Sequence, residues 1–443
     1  MKRKIITLLI IFLLGVSPTY IISAKTSNSL LLNFEKLYKD DWHIIKNVPY
    51  VGQETGFDCE ICSFTMLSHY LEKNYSLYDI FYLTGSGHAL SYKPRSEFKN
   101  LSQKLSPPQI NPGSLYSIWK KDWYLISDIL GVSCNITYLD EDIDKKNKKE
   151  AWEEYWDRVK TYIKNDIPVY THVDMSFLSY NKKHKIFPEG EGICHAIVIV
   201  GYNETNETVC INDPGPAYDG YPEEGMYFFE NFSRLKKAVE NSTKSPFIIY
   251  KYGYLTLTLE NKSKPLPKEL AYEMIHYRNL GKMDGRPWSY DGIFIEENKQ
   301  LGINALNYYK LDMNPLRIAY NVPYWIFVRI FARIIDKNST APFYFMLDFI
   351  RVIRDEKKFV SQSLLKIKNC SFCKNEADLF ENESQKWGEI YVLYRQFINI
   401  IEQGKYFKVF FKMIPIFFKM NKIIDEIIVI EKMILKNECS NMK

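Results

Sequence analysis

Strong charge of either sign is missing from this chain. Its 443 residues carry a net charge of +5, which for this length gives no argument for nucleic-acid binding. Metal-site spacing is missing too. Of eight cysteines, at 59, 62, 134, 194, 210, 370, 373 and 439, Cys370 and Cys373 form an i, i+3 pair, but no second pair accompanies them at zinc-site spacing. They are read as a local disulfide or an inert pair, and no metal and no cofactor is expected. Gly85-Ser86-Gly87-His88 lacks the third glycine and the Lys-Ser/Thr that a phosphate loop needs. His88 is left as a turn histidine or a residue lining a cleft. Cys59 and Cys62 make a Cys-x-x-Cys, but no thioredoxin-like strand precedes them, which argues against a redox pair. No repeat period is detectable.

What is present is apolar material: 46% hydrophobic and 15% aromatic residues, ample for a large core and for more than one domain. Met1-Lys2-Arg3-Lys4 followed by an apolar stretch from Ile5 to Val16 and a small residue at Ala24 describes a secretory signal peptide. An uncleaved anchor is the alternative, since Ile5 to Ala24 is about long enough to span a bilayer. Either way the body of the protein is expected to be exported, secreted or at the cell surface. Asn-x-Ser/Thr occurs at 11 of 30 asparagines (74, 100, 135, 203, 206, 231, 241, 261, 338, 369 and 382), where chance spacing gives about 3. The excess points to a glycosylated surface.

The chain is organised around Cys59. Val48 to Asp58 is extended, with Gly52 and Gly56 breaking any helical period. Ile61, Phe64, Leu67 and Leu71 then form one apolar stripe, so Cys59 stands where a loop turns into a helix. The helix dipole and free N–H groups there favour a thiolate. Gln53, six residues upstream, brings a side-chain amide that suits an oxyanion donor. Downstream, Ile193-Cys194-His195-Ala196-Ile197-Val198-Ile199-Val200-Gly201-Tyr202 is a β-branched run, read as a buried strand that starts at His195. Asn203 to Asn206 reads as a turn, and Thr208 to Asp213 as the returning strand, stopped by Pro214-Gly215. Such a hairpin places His195 near Asp213 or Asn212. A cysteine with a distant histidine and carboxylate is the pattern of a cysteine nucleophile.

These motifs resemble the papain-like superfamily, in particular the double-glycine peptidases that process bacteriocin leaders. The stretches Leu77 to Tyr92 and Ile167 to Leu178 are also similar to the N-terminal domain of the butirosin-biosynthesis acyltransferases, over about Pro49 to Val239. The resemblance implies Cys59 as nucleophile, His195 as general base, Asp213 as its orienter and Gln53 in the oxyanion hole. The chain departs from the peptidases at Glu60, where they usually carry Gly; a carboxylate there is expected to raise the thiol pKa or crowd the site. Peptide or amide hydrolysis is the favoured activity, because the acyltransferases draw on an intracellular carrier protein that an exported enzyme would not meet. Acyl or aminoacyl transfer from a thioester, and a catalytically inactive surface binding protein on the same scaffold, are the alternatives.

The fold class expected is α+β: a papain-like domain, with the nucleophile helix packed on an antiparallel sheet, followed by an all-α C-terminal domain. The divisions are 1–24 signal peptide or anchor, 25–260 thiol-enzyme domain and 261–443 helical domain, joined by the Pro- and Lys-rich 261–268. Ser76 is a possible N-cap of a second helix. Trp152, Trp156, Val159 and Ile163 are one core stripe. Asp174 is read as a loop-ordering carboxylate. Segments 180–192 and 214–225 are expected to wall the site, and 281–292 to be an ordered loop. The lysine- and aromatic-rich 405–422 is a buried helix with snorkelling lysines, or a helix lying on an anionic membrane. Oligomeric state is not legible.

Overall fold

The computed structural model describes residues 41–88, 90–94, 110–111, 120–137, 148–190, 193–242, 252–259, 264–284, 300–315, 317–318, 341–367, 373–402 and 406–441. The segment 1–24 and the loop 281–292 beyond residue 284 lie outside the described residues, as do the glycosylation motifs at 100, 261, 338 and 369.

The elements in chain order begin with β1 (Trp42–Ile44), α1 (Cys59–Tyr70), α2 (Leu77–Thr84), β2 (Ser91–Tyr92), β3 (Ile110–Asn111), α3 (Lys120–Leu130), β4 (Ser133–Thr137) and α4 (Lys148–Lys164). Next come β5 (Val169–Asp174), α5 (Ser179–His184), β6 (Cys194–Asn203), β7 (Thr208–Asn212), the short α6 (Gly215–Tyr218), β8 (Phe228–Asn231), α7 (Phe232–Ser242) and β9 (Tyr254–Thr258). The remainder is helical: α8 (Lys268–Asp284), α9 (Gly302–Asp312), α10 (Ala341–Lys366), α11 (Cys373–Glu402) and α12 (Tyr406–Asn441), with the two-residue β10 (Gln300–Leu301) before α9. The fold is α+β, with a helical C-terminal region.

Seven strands form one antiparallel sheet in the order β4-β9-β5-β6-β7-β8, with β1 pairing the far end of β6. The central strand β6 is buried along nearly its whole length, as its unbroken β-branched run requires. Gly201 sits where β1 crosses: a Cβ there would lie 2.7 Å from the His43 carbonyl oxygen. The α1 stripe Ile61, Phe64 and Leu67 is fully buried and packs on β6, with the Ser63 hydroxyl donating to the Ala196 carbonyl at 3.2 Å. In α4, Trp152, Trp156, Val159 and Ile163 are core residues. A second, small sheet is formed by β10, β2 and β3.

One apolar core runs from the sheet through α1 and α2 into α8, α10, α11 and the end of α12; a second lies among α9 to α12 and the small sheet. Polar contacts reinforce the first junction. The capping box of Ser76 and Asp79 opens α2, and Gly85, at φ +71°, closes it. Its last carbonyls are met from α8: Asn279 donates to Tyr82 O and Lys282 to Thr84 O, each at 2.8 Å, and Arg278 donates to Leu83 O. Cations at a helix C-terminus also complement its dipole. Asp122 of α3 balances both charges, 2.7 Å from Arg278 and 3.1 Å from Lys282.

Candidate active site

Cys59 is the first residue of α1, so its N–H has no acceptor within the helix. The thiol is free and half-buried. Asp58, at the N-cap position, does not cap the helix. Its carboxylate reaches back into the loop and accepts from Glu54 N at 3.2 Å and Thr55 N at 3.3 Å. Burial pushes its pKa up to about 6, against the pull of these hydrogen bonds. The loop is fixed at its other end by Gln53 N donating to Pro214 O at 3.0 Å. Gly52 lies where no side chain fits, since a Cβ would stand 2.2 Å from the Ala217 Cβ. Gln53 is buried, and its Nε2 donates to Thr55 O at 3.0 Å, which leaves one amide hydrogen.

His195, near the start of β6, is 3% exposed. Its Nε2 lies 2.6 Å from Asp213 Oδ1, just past the end of β7, and the Cys59 thiol is near enough to influence the ring. Burial lowers the imidazolium pKa, but the charge and hydrogen bond of Asp213, helped by the nearby Cys59, outweigh it, and the net shift is up to about 10. With Nε2 given to Asp213, Nδ1 is the nitrogen left for the thiol proton. Asp213 is itself held: Gly215 N donates to the same Oδ1 at 2.9 Å, and the Tyr50 hydroxyl donates to its carbonyl at 2.9 Å. Asn212, the other expected orienter, is spent on structure, its Oδ1 accepting from Tyr227 N at 2.8 Å.

Cys59, His195 and Asp213 are therefore brought together, and Gln53 lies in the loop that leads into Cys59. Asp174 orders a loop as expected, accepting from Ser176 N at 3.0 Å and Ile193 N at 3.1 Å. His88 does not line a cleft. It is 2% exposed, between the Tyr82 and Phe380 rings, and burial, then nearby Lys357, lowers its pKa well below the ordinary value. The two segments expected to wall the site are tied together: Tyr180 donates to Asp219 at 2.9 Å, and Glu224 takes Lys183 at 2.8 Å and His184 at 3.0 Å. The helical region reaches this rim, with Arg351 of α10 donating to the Tyr218 hydroxyl at 3.2 Å.

Sequence reasoning missed three residues here. Asp58 was legible only as a carboxylate beside the cysteine, and nothing local marks its reach back to residues 54 and 55. Tyr50 acts across 163 positions. His172 of β5 sits 2.9 Å from Glu60 Oε1, a contact that depends on how α1 crosses the sheet. Among the described residues no cluster of metal-binding side chains is present.

A helix-borne cysteine against a histidine on an antiparallel sheet is the arrangement of papain-like cysteine peptidases. Residues 45–239 match the model of the Peptidase_C39 like family, and this part of the chain, somewhat under half of it, is similar to that family's cysteine peptidases. No curated protein matches the chain.

Proposed function

We propose that the protein is a cysteine hydrolase of peptide or amide bonds that works through Cys59, His195 and Asp213. The observation that carries this reading is one imidazole held by a carboxylate at 2.6 Å on the strand against which α1 packs, with the free cysteine as the first residue of that helix. His195 takes the Cys59 proton, and the thiolate attacks the substrate carbonyl. The Cys59 N–H and the remaining amide hydrogen of Gln53 receive the oxyanion. His195 gives its proton to the leaving amine, a thioester remains on Cys59, and water resolves it. Resolution by an amine instead would make the enzyme an acyl or aminoacyl transferase on the same residues.

Intact mass after incubation with peptide and thioester pools tests the reading. An acyl adduct on the wild-type protein, absent from Cys59→Ala, supports it; product formation with an amine in place of water identifies transfer. Hydrolysis undiminished in Cys59→Ala, or no adduct and no turnover with any pool, leaves a binding protein.

We further propose export, with glycans on the surface. In support, the glycosylation motifs at Asn74, Asn135, Asn206, Asn231 and Asn382 present exposed asparagines. Mass mapping after deglycosylation checks this, and unmodified peptides at all of these positions would overturn it. Contact with an anionic membrane surface is proposed for α12. Phe411 and Phe418 are 70% and 58% exposed, with Lys412, Lys419 and Lys422 exposed beside them. Among the described residues no helix is long and apolar enough to cross a membrane. Binding to anionic vesicles at low salt, lost in Phe411→Ser/Phe418→Ser, is the expected result.

A further inference from the structure

Glu60 occupies the position directly after the nucleophile, in the first turn of α1. A carboxylate there opposes formation of a second negative charge on the sulfur, and its field reaches the neighbouring cysteine of β6. Cys194, the residue before His195, has its pKa raised well above the ordinary value by burial first and by Glu60 next. Yet the Glu60 side chain is not loose. Its Oε1 lies 2.9 Å from His172 Nε2, and the two side chains are 26% and 20% exposed, so their interaction is only partly screened. The Tyr170 hydroxyl lies 2.9 Å from the same nitrogen, which fixes the ring edge that faces Glu60. His172 is set by the sheet, paired with Ala196 of β6 while its neighbour Val173 pairs with His195. The clamp and the imidazole that faces Cys59 therefore ride on adjacent rungs of one ladder.

We propose that His172 is a positioning residue that tethers the Glu60 carboxylate to β5, so that Glu60 does not oppose the thiolate at Cys59. This deepens the hydrolase reading and rests on it. Among the described residues, titratable groups of β5, β6 and α1 lie near Glu60. From β5 there is His172 itself and Asp174, the latter with Oδ1 engaged by Ser176 N and Ile193 N. From β6 there are Cys194 and His195, and from its own helix there is Cys59. Of these, His172 meets the Glu60 carboxylate directly, at 2.9 Å.

The test is the pH profile of iodoacetamide alkylation at Cys59, read by peptide fragmentation that separates it from Cys62, on wild type, His172→Ala, Glu60→Gln and the double variant. His172→Ala slows alkylation at pH 6 about tenfold and moves the profile to higher pH. Glu60→Gln alone leaves the profile near wild type, and Glu60→Gln added to His172→Ala restores it. Restoration also shows that the His172→Ala protein is folded, a point checked independently by its circular dichroism. A His172→Ala profile that overlays wild type, or a double variant as slow as His172→Ala, overturns the proposal. If wild-type Cys59 reacts no faster than a free peptide thiol, the hydrolase reading falls. The His172-dependent shift still reads the clamp in that case, because it compares variant with parent.

Discussion

Two buried ionic clusters in this molecule solve the same problem differently. At the site, one imidazole faces one carboxylate: His195 Nε2 and Gly215 N both meet Asp213 Oδ1. Among the C-terminal helices, one ammonium serves two carboxylates. Lys357 of α10, wholly buried, lies 2.9 Å from Glu383 of α11 and 3.1 Å from Glu431 of α12. The Oε2 atoms of both glutamates are buried without a hydrogen-bond partner. Burial pushes the Glu431 pKa up to about 8, and Glu383 adds to the push against the pull of Lys357. Burial alone therefore does not decide what a charge does. The site sets one imidazole against one carboxylate, whereas the cluster sets one ammonium against two carboxylates, where burial favours a protonated Glu431, and ties three helices together.

The sharpest way to break the comparison is to unmatch the site. Asp213→Asn should lower kcat/KM roughly 10²- to 10³-fold, by analogy with other triad orienters. It should also move the alkaline limb of the pH–rate profile, expected near 10 in wild type from the raised His195 pKa, to lower pH. Next is the helical cluster. Lys357→Met strands two buried carboxylates and should cost about 3–5 kcal/mol of stability, read by denaturant unfolding, with little change in the reactivity of Cys59. A smaller effect tests the extra proton. A carboxyl whose pKa is raised from 4.5 to about 8 on folding stabilises fully below the unfolded value, and that stability is lost as pH rises through the folded one. Wild-type Tm should fall by roughly 2–4 °C between pH 6 and 9 on this account, and Glu431→Gln should flatten the fall. Ser76→Ala, at an exposed cap remote from both clusters, sets the scale at about 1 kcal/mol with no pH dependence.

Period and punctuation carried much of this to the reader of the sequence. The stripe at Ile61, Phe64 and Leu67, the β-branched run after His195 and the Pro214-Gly215 stop each need only neighbours along the chain to be understood. So did the long helices from Lys268 onward, whose apolar period survives burial on one side. What stayed hidden depends on contacts across the fold. Asp58 reads as a carboxylate beside the cysteine and acts as a loop anchor. Glu60 reads as an obstacle until β5 supplies His172. His88, in a glycine-rich turn, reads as surface and is enclosed because α8, α10 and α11 close over it, a packing that no local pattern specifies.

The grip of α8 on α2 has a practical corollary. A fragment ending near residue 260, the natural cut for isolating the thiol-bearing half, would release Asn279, Arg278 and Lys282 from the Tyr82, Leu83 and Thr84 carbonyls and remove the Arg278 and Lys282 contacts of Asp122. Any transplant of that half onto another scaffold should therefore carry its own eighth helix along, or bring a substitute clasp for that helix end.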